Sequence, residues 1–174
     1  FIPNYSVSVA EHLIPAADLS EHISTAGTEA SGTSNMKFCM NAALLLGTMD
    51  GANVEIAEQV GQENMFIFGA TSDQVEKLRS ERKETAIDTR GSFGWFEQFK
   101  QLIQPLWSGN DYFAVAHDFP LYLEAQDHVD AQWKDEMGWL RKSVLTLAGM
   151  GPFSSDESIK KYAELVWGIK PCRL

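Results

Sequence analysis

The sequence is short of cysteine, of positive charge and of long apolar runs, and each shortage closes off a class of protein. Two cysteines, Cys39 and Cys172, stand in 174 residues, too few and too far apart for a disulfide framework or a cysteine-based metal site; the count suits a reducing compartment. Lys and Arg number 14 against 24 Asp and Glu, for a net charge of −10. Such a surface repels nucleic-acid phosphates and anionic lipid, and no basic cluster interleaved with aromatics offsets it. The longest apolar stretches, such as Ala42 to Leu46, are far too short to span a bilayer, and the start has neither the charged nor the apolar region of a signal peptide. These features predict a soluble, cytoplasmic protein with no nucleic-acid or membrane partner. His12, His22, His117 and His128 have no metal-ligand spacing, so no metal is expected.

What remains is an ordinary globular composition, 44% hydrophobic and 22% charged, enough to bury one sizeable core. The first half reads as short strands and helices separated by turn residues, an α/β layer with a mostly parallel sheet. Phe1 to Tyr5 is strand-like, and since the chain starts on Phe1 with no turn or cap before it, the sequence is expected to begin inside a larger protein. Val7 to Leu13 forms a short helix stopped by Pro15, and Glu21 to Thr25 is the next strand candidate. Met36, Met40, Ala43 and Leu44 recur at helical spacing, predicting a helix from Ser34 to about Leu46 with Gly47 as its stop. Asp50 and Gly51 signal a turn, Asn53 is a candidate cap for a helix through Val60 closed by Gly61, and Met65 to Phe68 suits a buried strand. Thr71 and Ser72 offer caps for an amphipathic helix carrying Val75 and Leu78. The expected organisation is an α/β portion over 1–79, a charged, solvated connection over 80–91 and a mainly helical portion over 92–174.

The helical portion opens on a stripe of Phe93, Phe96, Phe99, Leu102 and Ile103 before Pro105. Phe119 to Val129, Trp133 to Leu147 and Ser154 to Trp167 supply further helices. Ser154 to Glu157 has the form of a capping box ahead of an apolar stripe of Ile159, Tyr162, Ala163 and Val166. These helices read as packing elements, and Trp133, Trp139 and Trp167 fall at core spacing rather than forming a sugar-stacking platform.

Glu29 to Asn41, reading Glu-Ala-Ser-Gly-Thr-Ser-Asn-Met-Lys-Phe-Cys-Met-Asn, carries the chemistry. Ser31, Gly32, Thr33 and Ser34 form a small-residue loop entering a helix, whose unpaired N–H groups and positive dipole end suit a phosphate. Lys37 would sit about one turn in. A lone lysine near a helix start is usually just solvated, but Met36, Phe38, Cys39 and Met40 flank this one, and an apolar setting favours the neutral amine that a Schiff base requires. Glu29 by itself reads as a solvated loop acid.

As a whole, the stretch closely resembles the active-site signature of the α-glucan phosphorylases (glycogen, starch and maltodextrin phosphorylases). Asp50-Gly51-Ala52-Asn53-Val54-Glu55 resembles a second stretch typical of that family, as do Phe153-Ser154-Ser155-Asp156 and Trp167 to Pro171; between Ala70 and Asn110 the likeness is weak and the chain looks shortened. The resemblance implies a part of the C-terminal Rossmann-like domain of a two-domain, GT-B-like glycosyltransferase fold, followed by packing helices. It implies that Lys37 carries pyridoxal 5′-phosphate, that Thr33 and Ser34 bond the cofactor phosphate, that Tyr5 and Val7 line the cofactor, and that Glu29 with backbone groups of Ala30, Ser31 and Gly32 holds the sugar hydroxyls. Ser6 departs from the pattern, standing where several members have an arginine on the cofactor phosphate. The implied reaction transfers the terminal glucosyl unit of an α-1,4-glucan to orthophosphate, giving glucose 1-phosphate. The implied partners are glucan, orthophosphate, the missing N-terminal part of the same protein and, for the full-length protein, a second copy. A nucleotide-sugar glycosyltransferase, which would not need Lys37, and a non-catalytic glucan-binding module are the rival readings.

Overall fold

The computed structural model describes residues 2–81, 101–102, 104–106 and 108–170. Its centre is a three-stranded parallel sheet in the order β1 (Leu19–His22), β2 (Leu44–Gly47), β3 (Phe66–Ile67). Leu19 lies opposite Leu44, and Leu46 opposite Phe66. Parallel neighbours need crossover connections. Helix α2 (Ser34–Cys39) lies on the first and α3 (Ala52–Val60) on the second. The chain is thus α/β, as the alternation of short elements predicts.

β2 is buried along its whole length because both sheet faces are covered. Leu45 points to one face, into a cluster with Cys39, Ala52, Ile56, Val60, Met65 and Met150. Leu44 and Leu46 point to the other, against Phe66, Phe68, Ala125, Val129 and Trp139. That second cover comes from α5 (Val115–Trp133) and α6 (Glu136–Gly149). The helices α1 (Val7–Leu13) and α4 (Ser72–Glu81) fall where the sequence places them.

The two-sided burial of β2 explains the main departure from expectation. The helix predicted from Ser34 to Leu46 stops at Cys39, and Leu44 onward is strand. A parallel strand covered on both faces is a continuous apolar run, which periodicity cannot separate from a buried helix. The stop is a left-handed cap: Ala42 takes φ +66°, its N–H donates to the Cys39 carbonyl at 3.0 Å, and the Ala43 N–H donates to that of Phe38 at 3.1 Å. Those two bonds close a helix end in the Schellman pattern, here with alanine where glycine is usual.

Smaller corrections follow the same logic. Phe1 itself lies outside the described residues, and the rest of the segment to Tyr5 is not strand: Pro3 and Asn4 make a turn, with Asn4 at φ +54°. Proline followed by asparagine at positive φ is a type II turn signal. The strand expected over Glu21 to Thr25 runs over Leu19–His22, where pairing with β2 fixes its register. Asn53 lies inside α3 rather than capping it; Gly51 occupies the cap position. α5 extends beyond Phe119 to Val129 at both ends and takes in Trp133, while α6 starts after Asp135, whose carboxylate accepts from the Gly138 N–H at 3.0 Å. Residues 80 and 81 belong to α4, and the rest of the connection expected over 80–91 lies outside the described residues, as do Phe93, Phe96, Phe99 and Ile103 of the expected stripe. Leu102 is exposed.

The last helix, α7 (Ser155–Lys161), starts at the expected box, with Ser154 Oγ accepting from the Glu157 N–H at 3.2 Å, and continues as a wider π-helical run, Tyr162–Trp167. Its apolar stripe does not pack: Ile159, Tyr162 and Val166 are exposed, and Trp167 with them. Of the tryptophans assigned to the core, Trp139 is buried and Trp133 is half out, meeting Trp139 edge-on at 4.8 Å. Among the described residues no helix is long and apolar enough to cross a membrane.

Candidate functional site

In open parallel sheets ligands bind outside the carboxyl ends of the strands, where the chain leaves the sheet and its backbone groups are unpaired. β1 ends at His22 and β2 at Gly47, and the segments that leave them converge on one polar cleft. It is lined by His22, Ser24, Glu29, Asn35, Asp50 and Asn53, with Gly32 and Thr48 beside them. Gly47 is needed here, since a Cβ would stand 2.8 Å from Asn53 Nδ2 and 2.9 Å from the His22 carbonyl oxygen.

A chain of side-chain bonds ties the cleft together. Thr48 Oγ1 donates to the Ser24 carbonyl at 2.7 Å, Asn53 Nδ2 to the Thr48 carbonyl at 2.9 Å, and Asn35 Nδ2 to Asn53 Oδ1 at 2.7 Å. Asn35 sits in the first turn of α2, so this buried amide pair rivets the helix that carries Lys37 onto α3. Asp50 is the hub on the other side, its carboxylate accepting from the N–H groups of Thr28 (3.2 Å), Glu29 (2.8 Å) and Gly51 (2.9 Å). The enclosed space is about 20 Å³, room for one water rather than a sugar ring. At its rim Glu29, Ala30 and Ser31 are exposed. Among the described residues the N–H groups of Ala30, Ser31 and Gly32 donate to no backbone carbonyl.

The residues expected around a cofactor divide between two places. Tyr5, Val7 and Lys37 line one open groove of about 440 Å³, with Ala10, Ile14 and Pro15 as its apolar wall and Glu11 and Asn41 as polar neighbours. Thr33 and Ser34 line neither this groove nor the cleft. Thr33, not Ser34, is the N-cap of α2, and its side chain makes no capping bond. With α2 only six residues long, the aligned peptide dipoles are fewer than a helix to Leu46 would supply. Lys37 is exposed, and its apolar surroundings come from α1 rather than from the sequence neighbours expected, since Cys39 and Met36 turn toward the core. Burial pushes the Cys39 thiol up to about 12, so it is not a nucleophile at neutral pH.

The sequence alone does not mark His22, Asn35 or Asp50 as site residues, and it marks Asn53 only as a cap. The Asp-Gly dipeptide after an apolar run was the available signal, but it announces a turn without saying what the turn grips. Burial lowers the His22 imidazole below its usual range, against the opposing pull of the Glu29 carboxylate; Ser20 Oγ lies 2.9 Å from its Nε2. An imidazole held neutral in the fold takes up its proton first in the unfolded chain, so stability is full above about pH 6.5 and declines as pH falls toward the lowered value. The melting temperature of this chain is therefore expected to drop from about pH 7 to about pH 5 more steeply than that of His22→Gln. Equal slopes would remove His22 as a source of the acid sensitivity.

Parallel strands with crossover helices, a polar cleft at the strand ends and a groove that holds Lys37 define an α/β unit. The model of the family described as carbohydrate phosphorylase matches residues 1–169, and the chain belongs to that family. It is similar to alpha-glucan phosphorylase 2, cytosolic, of Arabidopsis thaliana, with 51% identity over 99% of this chain and 22% of the relative. Glycogen phosphorylase 2 of Dictyostelium discoideum is 49% identical over 98% of the chain and 18% of the relative. The alpha-1,4 glucan phosphorylase L isozyme, chloroplastic/amyloplastic, of Vicia faba is 50% identical over the whole chain and 19% of the relative. The chain thus spans about a fifth of the length of these relatives.

Proposed function

We propose that this chain is a segment of an α-1,4-glucan phosphorylase, which transfers the terminal glucosyl unit of a glucan to orthophosphate and releases glucose 1-phosphate. The observation that carries the reading is the placement of Lys37 with Tyr5 and Val7 in one groove, on a helix whose entry loop presents Glu29 and free N–H groups beside it. The segment belongs to the C-terminal Rossmann-like domain of a GT-B-like pair, with 1–79 as its α/β portion, 80–91 as a connection and 92–174 as its helical portion. The full-length protein is a cytoplasmic homodimer in which an opposing domain completes the cleft.

The groove suits pyridoxal 5′-phosphate. At about 440 Å³ it is in the size range of small-molecule sites, it offers a primary amine at Lys37, and Val7, Ala10, Ile14 and Pro15 give the apolar wall that a pyridine ring would contact. Lys37 would anchor the group, Tyr5 and Val7 would flank it, and Thr33 and Ser34 are the hydroxyls nearest in sequence for its phosphate. Ser6, exposed at the start of α1, can donate a hydrogen bond but no charge, so the phosphate clamp is weaker than one with arginine. When bound, the cofactor supplies a phosphate with a second pKa near 6, suited to proton exchange at neutral pH.

The chain's own residues bind and orient. Glu29 accepts from vicinal sugar hydroxyls through charge-assisted bonds, and the small residues Ala30, Ser31 and Gly32 let their N–H groups come close to the ring. In the full-length protein Glu29→Gln should leave the cofactor bound while lowering kcat/KM about 10- to 150-fold, the equivalent of about 1.5 to 3 kcal/mol for a hydrogen bond to a charged group. Unchanged kcat/KM with intact cofactor would refute the role. The reading as a whole is tested by assaying glucose 1-phosphate release from glucan and orthophosphate with the full-length protein; absence of release overturns it.

A further inference from the structure

We infer that Asp50 is the positioning residue for Glu29, aiming the sugar-binding carboxylate by fixing the backbone on which it stands. The inference rests on the reading of Glu29 given above. The Glu29 carboxylate has little to hold it directly: its bond from Ser24 Oγ is long, at 3.4 Å, and exposed. Its direction is set by the loop, and the loop is gripped on both sides of Glu29 by one turn. Before it, Asp50 Oδ2 takes the N–H groups of Thr28 and Glu29 itself, at 3.2 and 2.8 Å. After it, the Ala52 N–H donates to the Ser31 carbonyl at 2.5 Å.

The turn that does this has no slack. Asp50 Oδ1 is engaged by the Gly51 N–H at 2.9 Å, which locks the carboxylate to its own backbone. Gly51 stands at φ +49°, ψ −138°, and a Cβ there would meet the Ser31 carbonyl oxygen at 2.5 Å and Glu29 Cγ at 3.1 Å. Asp50 is itself buried. Three N–H donors converge on its two oxygens, so a carboxylate is required: an amide offers one oxygen and turns an NH2 group toward a donor. An unmade bond in such a buried place frees one arm of the loop.

A residue that acts through Glu29 has no effect once Glu29 is disabled, whereas general damage to the fold is felt in either background. The test is a double-mutant cycle in the full-length, cofactor-loaded protein, reading kcat/KM for glucose 1-phosphate in glucan elongation together with bound cofactor. Asp50→Asn is expected to lower kcat/KM about tenfold or more when Glu29 is present and less than about twofold in the Glu29→Gln background, with cofactor retained in both. Equal losses in the two backgrounds would overturn the positioning role while leaving the reading of Glu29 intact. A Glu29→Gln variant that matches wild type would instead overturn that reading, and the inference with it. Should Asp50→Asn not yield folded protein, Asp50→Ser runs through the same cycle with the same outcomes deciding it.

Discussion

Borohydride reduction of the cofactor-loaded full-length protein is expected to fix pyridoxal phosphate on Lys37 and on no other lysine of this segment. Lys37 projects into the groove that also holds Tyr5 and Val7. Lys77 and Lys161 lie 4.0 Å from Glu81 and Glu157 on their own helices, Lys142 donates to the Glu63 carbonyl, and none of the three lines that groove. A Schiff base needs an amine that can reach the carbonyl carbon, and Lys37 stands against the apolar wall of Val7, Ala10, Ile14 and Pro15 that a pyridine ring would contact. Lys37→Ala should therefore abolish the covalent label and lower kcat by about 10²- to 10⁴-fold, the range that loss of positioned acid–base chemistry spans. Peptide mapping reads the label directly and independently of turnover. A label on any other lysine would sink the assignment, and it would do so even if the variant were inactive.

Helix α2 shows what was legible in the sequence and what was not. The residue types of the Glu29 to Asn41 stretch were enough to identify the loop, the lysine and the family. The helix length was not recoverable, because Leu44 to Gly47 is apolar on both faces and its one-residue alternation between two cores leaves no trace in hydropathy. The cap that separates helix from strand is Ala42 at positive φ, a residue that gives no warning of a left-handed turn, whereas Gly61 and Gly69, with no Cβ, and Asn4, with a short polar side chain, take positive φ at little cost. The exposed stripe of α7 failed for another reason. Amphipathic spacing says that a face is apolar, not that its cover lies within the described residues, and Ile159, Tyr162 and Val166 have none there. The candidate site divides in the same way. Lys37, Tyr5 and Val7 line one groove while Thr33 and Ser34 do not, and the grip of Asp50 on the Glu29 loop spans 21 residues of sequence and is a fact of tertiary structure.

The 174-residue chain alone, given pyridoxal phosphate, glucan and orthophosphate, is expected to release glucose 1-phosphate at less than about a thousandth of the full-length rate. Holding sugar, acceptor phosphate and cofactor phosphate in one geometry can account for roughly 7–11 kcal/mol of a barrier, and the described residues supply only part of that frame. Among the described residues Glu29 and the N–H groups of Ala30 to Gly32, which donate to no backbone carbonyl, stand on one loop, and the cleft that Glu29 and Gly32 line admits only about 20 Å³. Among the described residues no cluster of positive charge lines the groove or the cleft. The groove holds a single lysine opposed by Glu11, burial lowers the His22 imidazole toward its neutral form, and the chain as a whole carries −10. Two phosphates brought together in such a place repel each other with nothing to neutralise them, which the Coulomb term alone makes unfavourable at close range. Cofactor binding to the isolated chain is expected to be weak for the same reason, since Thr33 and Ser34 on a six-residue helix, with Ser6 adding no charge, form an incomplete phosphate shell. Purified chain and full-length protein assayed side by side decide the matter. Turnover by the chain within about tenfold of the full-length protein would mean that positioning worth less than about 1.4 kcal/mol comes from outside this segment, and the reading of it as one wall of a two-walled site would fall.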